Sequence, residues 1–181
     1  MIRDIVKYGD PVLRAKGARV ARVDDGVRQL AADMLETMYD AHGVGLAAQQ
    51  VGVALQLCVV DVSGAEDRPS TLSIDGVEVP VEGRMPLVLL NPELELKPGR
   101  EVGVEGCLSF PEITADIPRA PAVVIRAFDL EGQEVRFEAT GLLARALQHE
   151  IDHLNGVLFI DRMSSAARAG LAGRLKRLSR G

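Results

Sequence analysis

Residues 140–156 read Thr-Gly-Leu-Leu-Ala-Arg-Ala-Leu-Gln-His-Glu-Ile-Asp-His-Leu-Asn-Gly, and this stretch sets the architecture. Thr140 suits a helix N-cap and Gly156 a helix stop, so the spacing predicts one helix running through Leu154. An α-helix turns once in about 3.6 residues, so side chains four apart share a face. His149 and His153 therefore stand side by side, spaced to grip one ion, and they are two of the chain's three histidines. Glu150 follows the first and lies beside the ion without having to bind it. This is the H-E-x-x-H arrangement: two imidazole ligands and a carboxylate able to take a proton from water on the metal. A helix with two unrelated histidines is the competing reading, and the pentapeptide is too specific to favour it.

A catalytic ion of this kind takes three protein ligands and keeps one position for water. The third does not lie downstream. After His153 the only acid is Asp161, so the glutamate of the thermolysin-like layout is missing, and the metzincin pattern fails at Phe159. The ligand must come from upstream, where there are two cysteines. Cys58 lies in the apolar run Leu55-Gln-Leu-Cys-Val-Val60, which reads as a buried strand, and there a cysteine behaves as a small hydrophobe. Cys107 lies in Glu105-Gly-Cys-Leu-Ser-Phe-Pro111, a less regular segment that can turn a thiol toward a site, and is the better candidate. A disulfide between the two is the other reading. The charge balance and the lack of a signal-peptide core at the N-terminus point instead to the cytoplasm, where disulfides are rare.

Three segments together resemble the motifs of the peptide deformylases: Gly43-Val-Gly-Leu-Ala-Ala-Gln-Gln50, Glu105-Gly-Cys-Leu-Ser109 and Gln148-His-Glu-Ile-Asp-His153. They stand in the family's order at compatible spacing, and the likeness runs from about Tyr8 to Phe159. The resemblance implies removal of the formyl group from the N-terminal formylmethionine of new polypeptides, with release of formate. It implies one divalent ion, Fe²⁺ with Zn²⁺ or Ni²⁺ able to substitute, held by Cys107, His149 and His153. It implies Glu150 as general base and then acid, with the Gln50 side-chain amide and the Leu108 backbone N–H donating to the oxyanion. It also implies that the segment at Gly45 pairs through its backbone with the peptide as an added strand. The residue chemistry agrees, because a thiolate ligand weakens the ion as a Lewis acid and so calls for a strong base beside the water. Gly43–Ala48 also matches G-x-G-x-x-A, but that fingerprint needs a strand before it and a helix after it, and here the order is reversed. The glycines instead let backbone come close to a bound ligand.

Leu142, Ala146 and His149 share a helix face, so Leu142 and Ala146, with Val44, would line an unbranched apolar pocket for the methionine side chain. Some deformylases carry a basic residue soon after the cysteine motif; Ile113-Thr114 stands there instead, and Arg119 is the available replacement. The segment Ser63–Arg84 is longer than in compact members, either a rim over the cleft or a plain insertion. Two other readings stay open: another metallohydrolase such as a peptidase, and a binding protein whose Cys-His-His site is structural.

Around this centre the pattern is α+β. Asp24 or Asp25 caps a helix whose stripe is Val27, Leu30, Ala31, Met34, Leu35 and Met38, ended by Gly43. His42 at its end reads as structural, favourable with the helix dipole. Leu55–Val62, Pro86–Leu94, Glu101–Leu108, Ala122–Phe128 and Glu134–Ala139 read as strands, with hairpin turns at Asp75-Gly76 and Glu131-Gly132. Hairpins without β-α-β alternation predict antiparallel sheets packed around the metal-binding helix, with an N-terminal and a C-terminal helix. The 181 residues fit a single catalytic domain, 1–181, monomeric by default. With 3% aromatics and no Trp the core must be aliphatic, and the composition argues against a base-stacking surface. No apolar run approaches a membrane span. Residues 162–181 hold six basic residues and no acid, a net of +6 within a chain of −5. The basic helix at 164–181 is either a solvated face or, as in some deformylases, a contact for the ribosome.

Overall fold

The computed structural model describes residues 1–181 as three α-helices and nine strands in two antiparallel sheets. The larger sheet runs β1 (Gly45–Ala47), β2 (Leu57–Val60), β5 (Leu87–Leu96), β8 (Ala122–Phe128), β9 (Glu134–Thr140), β3 (Ser70–Ile74), β4 (Val77–Val79). The smaller is a hairpin of β6 (Glu101–Cys107) and β7 (Phe110–Arg119). Strand β2 shows how the layers form. Its side chains alternate, so Cys58 and Val60 join the core under the central helix while Leu57 and Val59 join the core under the first helix. All four are buried, which is why this run carries no polar residue. Cys58 is thus core, and burial pushes its thiol pKa up, with no partner for a disulfide.

Helix α1 (Asp25–Asp40) starts as its sequence predicts, with the Asp24 carboxylate accepting from the Val27 N–H at 2.9 Å. Its stop differs. His42 takes the left-handed position (φ 57), with Gly43 N–H reaching back to Met38 and His42 N–H to Tyr39. Gly43 is therefore not needed to end the helix.

Helix α2 (Gly141–Leu154) is buried almost all round, between the large sheet and the β6–β7 hairpin. Leu143, Ala144, Leu147, Ile151 and Leu154 pack on Val60, Leu72, Ile125 and Phe137. Arg145, Gln148, His149, Glu150 and His153 are buried as well, and buried polar groups require partners. The N-terminus differs from the sequence expectation. Thr140 makes no capping bond; its hydroxyl pairs with Thr71 on β3. The cap comes from the neighbouring strand instead, where Ser70 Oγ accepts from Leu143 N–H at 2.9 Å and the Pro69 carbonyl from Leu142 N–H at 3.2 Å. At the other end Gly156 (φ 75) closes the helix as expected, with Val157 N–H returning to Asp152.

The Asp75-Gly76 hairpin forms with both residues at positive φ, and Ser63–Arg84 is partly this β3–β4 extension of the sheet. Strand β7 carries no clear signal in sequence because Pro111 and Pro118 interrupt it, yet it pairs with β6 from Glu101↔Arg119 to Cys107↔Phe110. Helix α3 (Ser165–Arg180) is capped by Ser164 and packs Leu171, Leu175 and Leu178 onto Leu13, Phe110 and Phe159. No helix is long and apolar enough to cross a membrane.

Gly141 sits at φ 67 with the Pro69 carbonyl against the place of a Cβ, whereas Gly132 sits at φ 78 in open space. Gly132→Ala should cost about 1 kcal/mol and Gly141→Ala clearly more. In a chain of this size each kcal/mol shifts Tm by roughly 2–4 °C, so thermal unfolding of the two variants separates backbone strain from the clash.

Candidate metal centre

The β6–β7 hairpin and α2 build the site between them. Cys107 closes β6 opposite Phe110, leaving Leu108-Ser109 as the turn. This turn faces α2, where His149 and His153 stand one turn apart with ring centroids 5.0 Å apart. Cys107 Sγ and one nitrogen of each ring all lie within 4.8 Å of one another, and Cys107 Sγ is 3.4 Å from His153 Nε2. A tetrahedral ion at ordinary Zn–S and Zn–N lengths spans its ligands by about 3.5 Å, so the three donors fit a divalent metal. Buried Glu150 Oε1 has no protein partner, a costly arrangement unless a group bound in the site meets it.

The orientation of His149 is set from behind. Its Nδ1–H donates to Glu105 Oε1 at 2.8 Å, which leaves Nε2 for an ion. Glu105 is held in turn by Arg119, through bonds of 2.8 and 2.9 Å, and by Arg145 at 2.8 Å. Burial alone would raise the Glu105 pKa, but the Arg119 guanidinium and His149 outweigh it and hold the carboxyl at about 2. Arg119 also donates to Asp152 at 2.6 Å, and Arg162 closes the chain on the far side of Asp152. Arg119, with a side chain 4% exposed, is thus a buried member of this network and not a cleft residue. It cannot replace the basic substrate contact for which the sequence made it available.

The catalytic candidates surround the three donors. Burial pushes the Glu150 carboxyl up to about 7 against the pull of His149. Its Oε2 lies 2.5 Å from where a Cβ on Gly45 would stand. Gly45 is glycine to admit this carboxylate, and Gly43 to admit the Leu108 side chain, so the closely approaching groups are the protein's own. Gln50 Oε1 accepts from Ala47 N–H at 3.0 Å, which fixes the amide so that Nε2 points to Ser109 Oγ (3.2 Å) and Cys107 Sγ (3.6 Å). The Leu108 N–H, in the turn, makes no hydrogen bond within the protein.

A cleft of about 430 Å³ opens onto this group. Val44, Gly45, Gln50, Cys107, Leu108, Leu142, Ala146, His149 and Glu150 all line it, while His153 lies behind at 1% exposure. His42 lines it too, as does Arg68 from the long segment after β2. Glu105 and Arg145 were missed in the sequence, although both carried a signal. Glu105 is two residues before Cys107 on a strand and shares its face; Arg145 is four before His149 on a helix and shares its face.

Glu105→Gln is expected to weaken Zn²⁺ binding by roughly 10–100-fold through a misoriented His149. Competition with a chelating dye at fixed pH measures it; unchanged affinity would show that Glu105 serves stability alone.

The polypeptide deformylase family profile matches residues 2–169. A peptide deformylase from Methylacidiphilum infernorum is 48% identical over 181 residues, covering 100% of this chain and 95% of that one. One from Opitutus terrae is 48% identical over 180 residues, covering 97% and 92%. The fold superposes on the crystal structure of the Ehrlichia chaffeensis peptide deformylase with a TM-score of 0.85 at 35% identity, covering 99% and 98%. It also superposes on the Synechococcus elongatus enzyme in complex with actinonin at 0.80 and 41%, covering 97% and 85%. Matched from end to end by sequence and by fold around the Cys107, His149 and His153 cluster, this chain belongs to the polypeptide deformylase family.

Proposed function

We propose that the protein is a metal-dependent hydrolase that removes the N-formyl group from formylmethionyl chains as they are made, releasing formate. The observation that carries this reading is a buried carboxylate, Glu150, set beside the Cys107–His149–His153 donors at the floor of a narrow cleft. A bound divalent ion, Fe²⁺ with Zn²⁺ or Ni²⁺ as substitutes, would supply Lewis acidity that polarises a carbonyl and acidifies water. Glu150 takes the proton from the attacking water and returns it to the leaving amine. Its raised pKa suits both tasks, since a general base works best with a pKa near the working pH. Gln50 Nε2, which lies beside Ser109 Oγ and Cys107 Sγ, and the Leu108 N–H, which has no partner within the protein, donate to the oxyanion as it forms. Gly45 offers its backbone to the peptide as an added strand. Val44, Leu142 and Ala146 take the methionine side chain.

The whole chain, 1–181, works as one catalytic unit, a monomer of the cytoplasm. The basic helix α3 is its contact with the ribosome. Arg162, Arg168 and Arg174 are occupied by Asp152, Asp161 and the Glu112 carbonyl, which leaves Lys176, Arg177 and Arg180 free to meet phosphates. Removal of residues 164–181 should abolish salt-sensitive co-sedimentation with ribosomes; equal pelleting of both forms would end that assignment.

Formate release from formyl-Met-Ala-Ser, by protein prepared without oxygen and loaded with each metal in turn, tests the reading directly. Glu150→Ala should bind one ion per chain yet lose at least about 10²-fold in kcat. Gln50→Ala should lose about 10²–10³-fold, as loss of one oxyanion donor does elsewhere. Cys107→Ala should fail to hold the ion. A Glu150 variant that loses its metal would remove the assigned role.

A further inference from the structure

We propose that Arg68 determines which first side chain the cleft accepts, and that it makes formylated chains beginning with methionine sulfoxide substrates alongside those beginning with methionine. This rests on the deformylase reading above. Arg68 lies between β2 and β3, next to Pro69, whose carbonyl holds Leu142 at the start of α2. Its Nη2 donates to the Val104 carbonyl on β6 at 3.1 Å. The side chain thus reaches from the β2–β3 segment to β6, and Arg68 and Val104 line the cleft together with Leu142.

Two independent rulers place this contact at the same depth. Val104 is three strand residues from Cys107, about 10 Å. Leu142 is seven helix residues from His149, about 10 Å as well. From a formyl carbon beside Cys107 and His149, six bonds reach a sulfoxide oxygen on an extended methionine, about 8 Å away. The remainder, about 2 Å, is less than a hydrogen-bond length, so a side chain slightly short of full extension brings the oxygen into bonding range of the guanidinium.

The chemistry at that depth favours an acceptor. Leu142 and Ala146 are buried apolar walls of the cleft, and a bare sulfoxide oxygen against them would be costly. Two guanidinium groups line the cavity. That of Arg145 is committed to Glu105 and to the carbonyls of Glu101 and Ile117. That of Arg68 makes only the Val104 bond and meets no carboxylate, so most of its N–H groups are free to donate. Methionine sulfoxide is the common oxidation product of methionine, and its oxygen turns the tip of the side chain into an acceptor. The reaction leaves it untouched: water adds to the formyl carbon, the C–N bond breaks, and formate and the free amine depart.

The test compares formyl-Met-Ala-Ser, its sulfoxide form and its norleucine form, with kcat and KM measured separately for wild type, Arg68→Ala and Arg68→Lys. Wild type should turn over the sulfoxide within about tenfold of the thioether. In Arg68→Ala the sulfoxide-to-norleucine ratio of kcat/KM should fall at least tenfold, carried by KM, with partial recovery in Arg68→Lys. Calorimetry with the deformylated sulfoxide product and metal-free protein should show the same ranking of the three proteins. An unchanged ratio in Arg68→Ala, or a wild type that rejects the sulfoxide more than 100-fold, overturns the role of Arg68 and leaves the deformylase reading standing. No turnover of any of the three peptides overturns both.

Discussion

The rest of the structure depends on the burial of one carboxylate. Glu105, with its side chain 5% exposed, accepts from Arg119, Arg145 and His149 together. These partners come from β7 and α2, so one acid fastens the cysteine-bearing hairpin to the histidine-bearing helix. Two guanidinium groups around one carboxylate would leave a positive excess, which Asp152 relieves from the other side of Arg119. A buried ion pair is not in itself stabilising against a well-packed apolar substitute, but removing one member costs about 3–5 kcal/mol. The arrangement is therefore better understood as specification. An apolar cluster would hold the hairpin against the helix in several registers, whereas a forked guanidinium on a carboxylate accepts one.

Glycine supplies the complementary constraint, removal of bulk where the carboxylates and backbone converge. β1 can pass over α2 only because Gly45 leaves room for Glu150, and the cysteine turn can close on β1 only because Gly43 leaves room for Leu108. The 3-10 turn that follows this strand then carries Gln50, locked by Ala47, up to the thiol. Three segments distant in sequence thus meet with their polar atoms inward. The segment that would most readily be read as a ligand-binding loop is first of all a packing surface for Glu150 and Leu108.

Much of this was legible in the chain. The i, i+4 histidines needed only helical periodicity, and the choice of Cys107 over Cys58 needed only the contrast between an irregular segment and an apolar strand. The antiparallel sheets around one helix followed from hairpins without β-α-β alternation. The parts that were not legible depend on neighbours remote in sequence. Thr140 looks like a cap, but Ser70 does that work because β3 runs past the helix start. Arg119 looks like a free cation after the cysteine motif, but it is drawn inward by two acids, one 14 and one 33 residues away. Strand β7 was hidden by prolines that its position in a two-stranded hairpin tolerates. Arg68 sits in a stretch of Gly, Pro, Ser and acids, where nothing local says that its side chain reaches β6.

The division of the metal donors between two elements follows from the same logic. A helix can present two ligands at fixed spacing, and it holds them rigidly whether or not an ion is present. The third comes from a turn whose position depends on hairpin packing, so affinity for the ion is linked to the docking of that hairpin. Glu105 provides the docking through His149, one of the candidate ligands, which couples the orientation of the imidazole to the placement of the thiol two residues further along β6. The network behind the site and the site itself are in this sense one structure. The hydrogen bond that sets the histidine tautomer also ties the helix to β6, and the chain of charges from Arg162 through Asp152 and Arg119 to Glu105 continues that tie behind the site.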